Sequence, residues 1–494
     1  MGKLGKGAIL SYINLALVNI IGLVLTPFII KQLGTSQYGL YVLVGGLIGY
    51  ISVMDLGINN AIIRYVSSYR ASGNVLDEKK FLTTVFSIYG VISIVIVIIG
   101  SLLYLFLGEI FSKFSADDLI KLKKMFIILI FNLIVSIISG GFLAICNAYK
   151  EFVFPRLLAI IKYLSRTTLV YLFLSKTKDA MTLVWIDTFL NVLILFVALY
   201  YVLTYLKVSF YPKLKYNKTL VLDIFSYTIW IFIYSITMQF QWNFSQTAIG
   251  AVLDTKTVAV FGVGIMLSGY YSALAGVFNT LLLPKATELH NTSESYDYTD
   301  SMITYARLNV FIMFLILGGF FLYGKEFILL WIGKEYQSSW LIAILIMLAS
   351  TLAIAQGFGN SILEARKKNR FRSIIYIFSV SIGIGIGFLL LKKYGVLGMM
   401  YCLSSTIFLN SIIMLLYFRK TFKLNIYRFI SNIFLKQILC LLILVIVFSY
   451  VKNYVYANTW MQLGLNIILF VCGYLSLNYL FVLNKTEKSR IKIR

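Results

Sequence analysis

Lys162 and Arg166 stand four residues apart in an apolar run near 152–174. Positions i and i+4 share one face of a helix, so the two cations form a stripe. Counting inward from Arg156, a rise of about 1.5 Å per residue puts Lys162 about 9 Å and Arg166 about 15 Å into a membrane. An ionised side chain near the centre of a span costs about 2.5–3.5 kcal/mol on insertion scales, so cations at this depth need a reason to be there. One reason is an anionic ligand: a cationic stripe attracts a diphosphate, with Arg forking onto phosphate oxygens. The competing reason is a structural ion pair with an acid from another span.

Other residues join the list by type and depth. Arg64 sits at the inner end of a second run, where it either meets the same ligand at a cavity mouth or anchors the helix at the interface. Lys285 and Arg307 supply the corresponding charge from the second half of the chain, both near the boundary of their runs. Acids within runs are few: Asp55 and Asp187. Either could pair with Arg64, Lys162 or Arg166, or carry a coupling proton; for Asp55 the alternative is helix-end structure around Gly57. Asp187 lies about 10 Å from the outer side at helical rise, a depth that suits a gate or proton site. Ser235, Gln239, Asn243 and Gln246 form a polar stripe on the seventh run, with Trp242 beside it. Amides cannot face lipid unpaired, so Gln239 and Asn243 either recognise sugar or hydrogen-bond another helix. His290, the single histidine, lies in a polar loop without cysteine partners, and the reading calls for no metal and no cofactor.

The elements that hold these residues follow from composition. Of 494 residues, 60% are hydrophobic and only 13% charged. A soluble chain is nearer half apolar and a quarter charged, so the excess must face lipid. A span needs about 20 apolar residues, and such runs occur near 8–30, 38–60, 81–107, 125–146, 152–174 and 180–205. The second half adds 222–246, 257–283, 303–323, 339–358, 371–391, 396–418, 429–451 and 459–482. That is about fourteen helical spans, since a membrane barrel would alternate over about ten residues instead. The net charge of +25 suggests nucleic acid until its placement is read. Basic residues such as Arg70, Lys79, Lys80, Lys150, Arg156, Lys207 and Arg366 fall on alternate loops. By the positive-inside rule they orient the chain in the inner membrane with both termini cytoplasmic, and no nucleic acid is expected.

The breaks between runs are short, and no GxxxxGK[ST] occurs, which excludes a pump built on that nucleotide site. A large loop or an acidic constellation, the usual equipment of a membrane glycosyltransferase or polymerase, is not visible either. Shifting the chain by 220 residues sets Leu33, Thr35, Leu47, Gly49 and Tyr50 on Leu253, Thr255, Leu267, Gly269 and Tyr270. A shift of 217 sets Ala148, Lys150 and Phe154 on Ala365, Lys367 and Phe371. The expected organisation is an N-terminal lobe over 1–205 and a cytoplasmic linker over 206–219. A C-terminal lobe over 220–420 follows, then two further spans and a tail over 421–494. Transporters commonly place the substrate between such repeats.

The stretch Thr26-Pro27-Phe28-Ile29-Ile30-Lys31-Gln32-Leu33-Gly34, with Tyr38-Gly39-Leu40-Tyr41 after it, resembles the polysaccharide (O-antigen) flippases of the MOP exporter superfamily. So do Asp55-Leu56-Gly57-Ile58-Asn59-Asn60-Ala61, Leu330-Trp331-Ile332-Gly333-Lys334-Glu335-Tyr336 and the Lys393-Tyr394-Gly395-Val396-Leu397-Gly398 turn. The resemblance implies an all-α, MATE-like integral membrane fold: two pseudo-symmetric six-helix lobes plus two C-terminal helices. It implies no enzyme but a flippase, moving oligosaccharide units linked to a polyprenyl diphosphate from the cytoplasmic to the outer leaflet by alternating access through a central cavity. The implied partners are the lipid-linked oligosaccharide, the lipid bilayer, and a glycan polymerase or other assembly proteins, with the chain acting as a monomer. The cationic triad of the related peptidoglycan-precursor exporters is not visible in the first run, which lacks charge between Lys6 and Lys31. A multidrug exporter of the same superfamily would favour acids in its cavity, and a glycan polymerase is the rival from another class.

Overall fold

The computed structural model describes residues 3–52, 57–211, 218–279, 298–366, 370–452 and 458–482. Inside a bilayer a segment must satisfy its own backbone polar groups, which a helix does without leaving an edge. All regular structure among the described residues is accordingly helical. The first helices are α1 (Lys3–Ser52), α2 (Ile58–Ala71), α3 (Val75–Ile110), α4 (Ala116–Ala148) and α5 (Val153–Thr177). Then come α6 (Ala180–Tyr205), α7 (Lys218–Val252), α8 (Thr255–Asn279) and α9 (Thr299–Ile332). The chain continues with α10 (Ser339–Ala355), α11 (Gly357–Ala365), α12 (Arg370–Phe422), α13 (Ile426–Lys452) and α14 (Trp460–Val482).

Polar residues set where these helices begin. Asn74 accepts a bond from the Asp77 amide at 3.2 Å, Ser115 from Asp118 at 3.2 Å and Asp179 from Met181 at 3.1 Å. Each cap satisfies an amide that the first turn leaves orphaned, just ahead of an apolar run.

Eleven described stretches are long and apolar enough to cross a membrane. Two of them are too long for one crossing: α1 has 50 residues and α12 has 53. A straight helix of that length would run about 75–80 Å against a hydrocarbon layer of about 30 Å. Each breaks at a glycine with a backbone that side chains reject, Gly34 (φ 73, ψ 169) and Gly395 (φ 63, ψ −152). Two doubled stretches and α7 bring the crossings to fourteen. Gly34→Ala or Gly395→Ala should each cost about 1–3 kcal/mol, read as a lowered thermal midpoint in detergent. Gly45→Ala is the control, because Gly45 has an ordinary φ and nothing within 4 Å of an added Cβ.

Turn positions carry the repeat in the backbone itself. Lys178 (φ 49) and Gly395 (φ 63) both end a helix in positive φ, 217 positions apart. Lys207 (φ 53) and Lys423 (φ 57) do the same 216 positions apart. Helix order and turns thus give two six-span repeats followed by α13 and α14.

Compact units divide within α8, between Ala259 and Val260. In the first, α4 lies against α1, α2, α3 and α6, α5 packs on α1 and α6, and α7 packs on α1. Its core includes Leu40, Leu43, Val44, Phe126 and Ile145, all fully buried. In the second, α9 packs against α10, α13 and α14, and α10 against α12. There α9 carries Glu326, three residues beyond the apolar run 303–323. Glu326 is 5% exposed and pairs with Lys452 at 2.7 Å.

Candidate functional site

The cationic stripe of α5 faces α6. These two helices are joined by a short turn at Lys178 and Asp179 and run antiparallel, so residues four apart on one oppose residues four apart on the other. Arg166 therefore meets Asp187, and Lys162 meets Asn191. The Arg166 guanidinium forks onto the carboxylate, Nε to Oδ1 at 2.6 Å and Nη2 to Oδ2 at 3.2 Å. Tyr41 of α1 closes the group: its hydroxyl accepts from Arg166 Nη2 at 3.1 Å and donates to Asp187 Oδ2 at 3.4 Å. Both charged side chains are only about one-fifth exposed. A bidentate, charge-assisted fork is the geometry in which a part-buried guanidinium and carboxylate best offset each other's desolvation.

The second rung is uncharged on one side. Lys162 Nζ donates to the Asn191 side-chain oxygen, and the Asn191 amide nitrogen donates to the side-chain oxygen of Asn132 on α4. Among the described residues Lys162 has no carboxylate partner within ion-pair distance. The cluster thus holds two cations and one anion, and the anion is committed to Arg166. Sequence reasoning identified Lys162, Arg166 and Asp187. It missed Tyr41, Asn132 and Asn191; the spacing of Asn191 four residues after Asp187 was the available signal.

The repeat relation shows that this charge belongs to one half only. At an offset of 217, Lys162, Arg166 and Asp187 correspond to Ser379, Gly383 and Ser404. Small and neutral residues there close-pack instead: Ser379 donates to Asn410 at 2.6 Å, and an added Cβ at Gly383 would strike Thr406.

The remaining candidates lie elsewhere. Arg64 is exposed on α2 with its guanidinium 5.8 Å from the Tyr65 ring. Arg70, on the same helix, covers the Tyr149 ring at 3.6 Å, and the Tyr149 hydroxyl donates to Glu78 at 2.5 Å. Burial above all, with help from Glu78, pushes that phenol up to about 12, so it remains a donor at neutral pH. Arg307 on α9 donates to the Val482 carbonyl at 2.9 Å, which tethers the end of α14. Gln239 and Asn243 bond to each other at 3.3 Å, Gln239 reaches Ser52 at 3.5 Å, and Gln246 reaches the Val42 carbonyl at 2.9 Å. The stripe of α7 thus lies along α1, where a Cβ at Gly46 or Gly49 would collide with Gln246 or Asn243. The Gln239–Ser52 and Gln246–Val42 bonds cross from α7 to α1, while the Gln239–Asn243 bond stays within α7. Asp55, Lys285 and His290 lie outside the described residues.

Comparison with known proteins gives the lineage. A model of the family described as polysaccharide biosynthesis protein matches residues 4–290. A Shigella flexneri protein named for O-antigen transport is 19% identical over 423 residues, spanning 83% of this chain and 96% of its own. Among solved structures, the lipid II flippase MurJ in an inward closed conformation superposes with a TM-score of 0.75 at 16% identity, covering 99% of both chains. A multidrug resistance MATE family transporter of the MOP superfamily, in an inward-facing conformation, gives 0.67 at 10% identity, over 82% of this chain and 94% of that one. The fold is that of these transporters.

Proposed function

Given that this chain belongs to the polysaccharide biosynthesis protein family, we propose that it translocates polyprenyl-diphosphate-linked oligosaccharide units from the cytoplasmic to the outer leaflet of the inner membrane by alternating access. The observation that supports this reading is Lys162, an ammonium in an apolar run whose hydrogen-bond partner is the neutral Asn191 amide, beside an Arg–Asp pair that already balances itself. Such a group suits a transient anionic partner, since an amide can be exchanged for a phosphate oxygen without leaving a carboxylate uncompensated. The relative named for O-antigen transport and the solved flippase for lipid II support a substrate whose headgroup is a sugar on a diphosphate.

In this mechanism the headgroup binds at Lys162 while the chain that carries it stays in lipid. Arg166, Asp187 and Tyr41 hold α5 in register with α6 and α1, so that Lys162 keeps its position. Arg64, with the basic residues of the alternate loops, draws the headgroup to the cytoplasmic face, where both termini lie by the positive-inside rule. An inside-negative potential then favours the outward step by about 2.3 kcal/mol per negative charge per 100 mV. A cationic drug would be repelled by Lys162, which disfavours the multidrug reading.

A strain lacking the protein should accumulate lipid-linked oligosaccharide on the cytoplasmic leaflet, measured by its protection from an external glycosidase in intact spheroplasts. Normal exposure of those units in the deletion strain, with no second flippase present, would sink the proposal.

A further inference from the structure

In the second unit, α12 folds back at Gly395, and its two arms run antiparallel in a register that three contacts fix. Ser379 donates to Asn410 at 2.6 Å, an added Cβ at Gly383 would strike Thr406, and one at Gly387 would crowd Cys402 at 3.3 Å. Four residues forward on one arm are thus four residues back on the other. Toward the end away from Gly395 the rings of Phe371 and Tyr417 stack at 3.9 Å, and the same register sets Arg370 opposite Arg419. Lys420 and Lys423 follow, and all four cations are exposed. Among the described residues no carboxylate lies within ion-pair distance of Arg419, Lys420 or Lys423; Glu364 and Asp300 are committed to Arg372 and Arg428. Like charges brought together repel unless an anion stands among them.

The first repeat reaches its corresponding turn without most of this charge. At an offset of 217 Arg370 corresponds to Val153, and at 216 Arg419 and Lys420 correspond to Leu203 and Thr204. Only Lys423 has a charged counterpart, Lys207. The residues beside the cations select the anion. Leu409, Ile412 and Leu416 are 55, 37 and 55% exposed, and at helical spacing they share the face of Lys420. Such a stripe, at the end of the apolar run 396–418, faces acyl chains, so the cations stand at the depth of lipid phosphates. A soluble anion leaves the stripe unused, whereas a lipid covers both parts. Each exposed cation contributes only about fivefold, equivalent to about 1 kcal/mol. Attraction that weak is satisfied by a lipid abundant in the leaflet and not by a scarce carrier. We propose that this end of α12 binds the headgroup of an anionic glycerophospholipid, with its chains along Leu409, Ile412 and Leu416. By the positive-inside rule the lipid belongs to the cytoplasmic leaflet. The site is independent of what the protein transports.

The test uses the full chain in phosphatidylcholine vesicles carrying a trace of phosphatidylglycerol with a diazirine on its acyl chains. Adducts should map to residues 409–423 and fall with unlabelled phosphatidylglycerol, but not with inorganic phosphate. Replacing Arg419 and Lys420 together by Gln should lower the preference for phosphatidylglycerol over phosphatidylcholine roughly 25-fold, about fivefold for each charge. Should that variant insert poorly, the native chain supplies the same answer through salt. Raising ionic strength from about 0.01 M to about 1 M shortens the screening length from about 30 Å to about 3 Å and should abolish the preference. Equal labelling of residues 409–423 by a diazirine phosphatidylcholine, or a preference unmoved by both the variant and salt, would overturn the proposal. Competition by inorganic phosphate would mean a site for free anions, and far stronger displacement by polyprenyl diphosphate a site for the carrier; either result also overturns it.

Discussion

Lys162→Gln is expected to slow translocation of a polyprenyl-diphosphate sugar by roughly 10- to 150-fold with the fold intact. The range follows from the contribution of a charged hydrogen bond, about 1.5–3 kcal/mol. Glutamine is the informative replacement because its amide still donates to Asn191, keeping the α5–α6–α4 ladder closed while removing the charge. Stability and transport are thereby separated. Lys162→Arg should retain most activity, since a guanidinium also binds phosphate. A Lys162→Gln protein that transports at the native rate would show that the ammonium is only a rung of the ladder.

The second large effect concerns stability. Arg166→Met should destabilise the protein by about 2.5–3.5 kcal/mol, the cost of an unpaired carboxylate near the centre of a span. Asp187→Leu alone should cost a similar amount by stranding the guanidinium. Together the two changes should restore most of the loss, because a neutral apolar pair removes both desolvation penalties at once. Thermal midpoints of the two single variants and the double variant in detergent form a thermodynamic cycle. Additive losses would mean that the 2.6 Å contact carries no coupling.

How far these assignments were legible depended on the physics behind each signal. Apolar runs and the charge of alternate loops revealed the helices, because a bilayer admits few alternatives. The two fold-backs were legible as gaps between runs, near 30–38 and 391–396; what the sequence did not show is the positive φ at Gly34 and Gly395 that turns the chain there. Lys162, Arg166 and Asp187 stood out because a charge in an apolar run is costly. Their partners did not. Tyr41, Asn132 and Asn191 are ordinary residues in membrane helices, and only packing brings three other helices to the face of α5. Gln239 and Asn243 were ambiguous for the same reason, since an amide stripe reads alike whether it meets sugar or, as Gln239 does at Ser52, a side chain of α1.

The proposed function requires that an anionic sugar-lipid cross the bilayer through this protein because of positive charge within α5. The most direct measurement reconstitutes the wild-type and Lys162→Gln chains in sealed vesicles with a fluorescent polyprenyl-diphosphate oligosaccharide. Appearance of the headgroup in the opposite leaflet is then followed with and without an imposed potential. The wild type should move the lipid, faster when the potential drives negative charge in the direction of transport, and the variant should lag by at least about tenfold. Equal rates for the two chains, or equal movement of a prenyl lipid whose headgroup carries no charge, would contradict it.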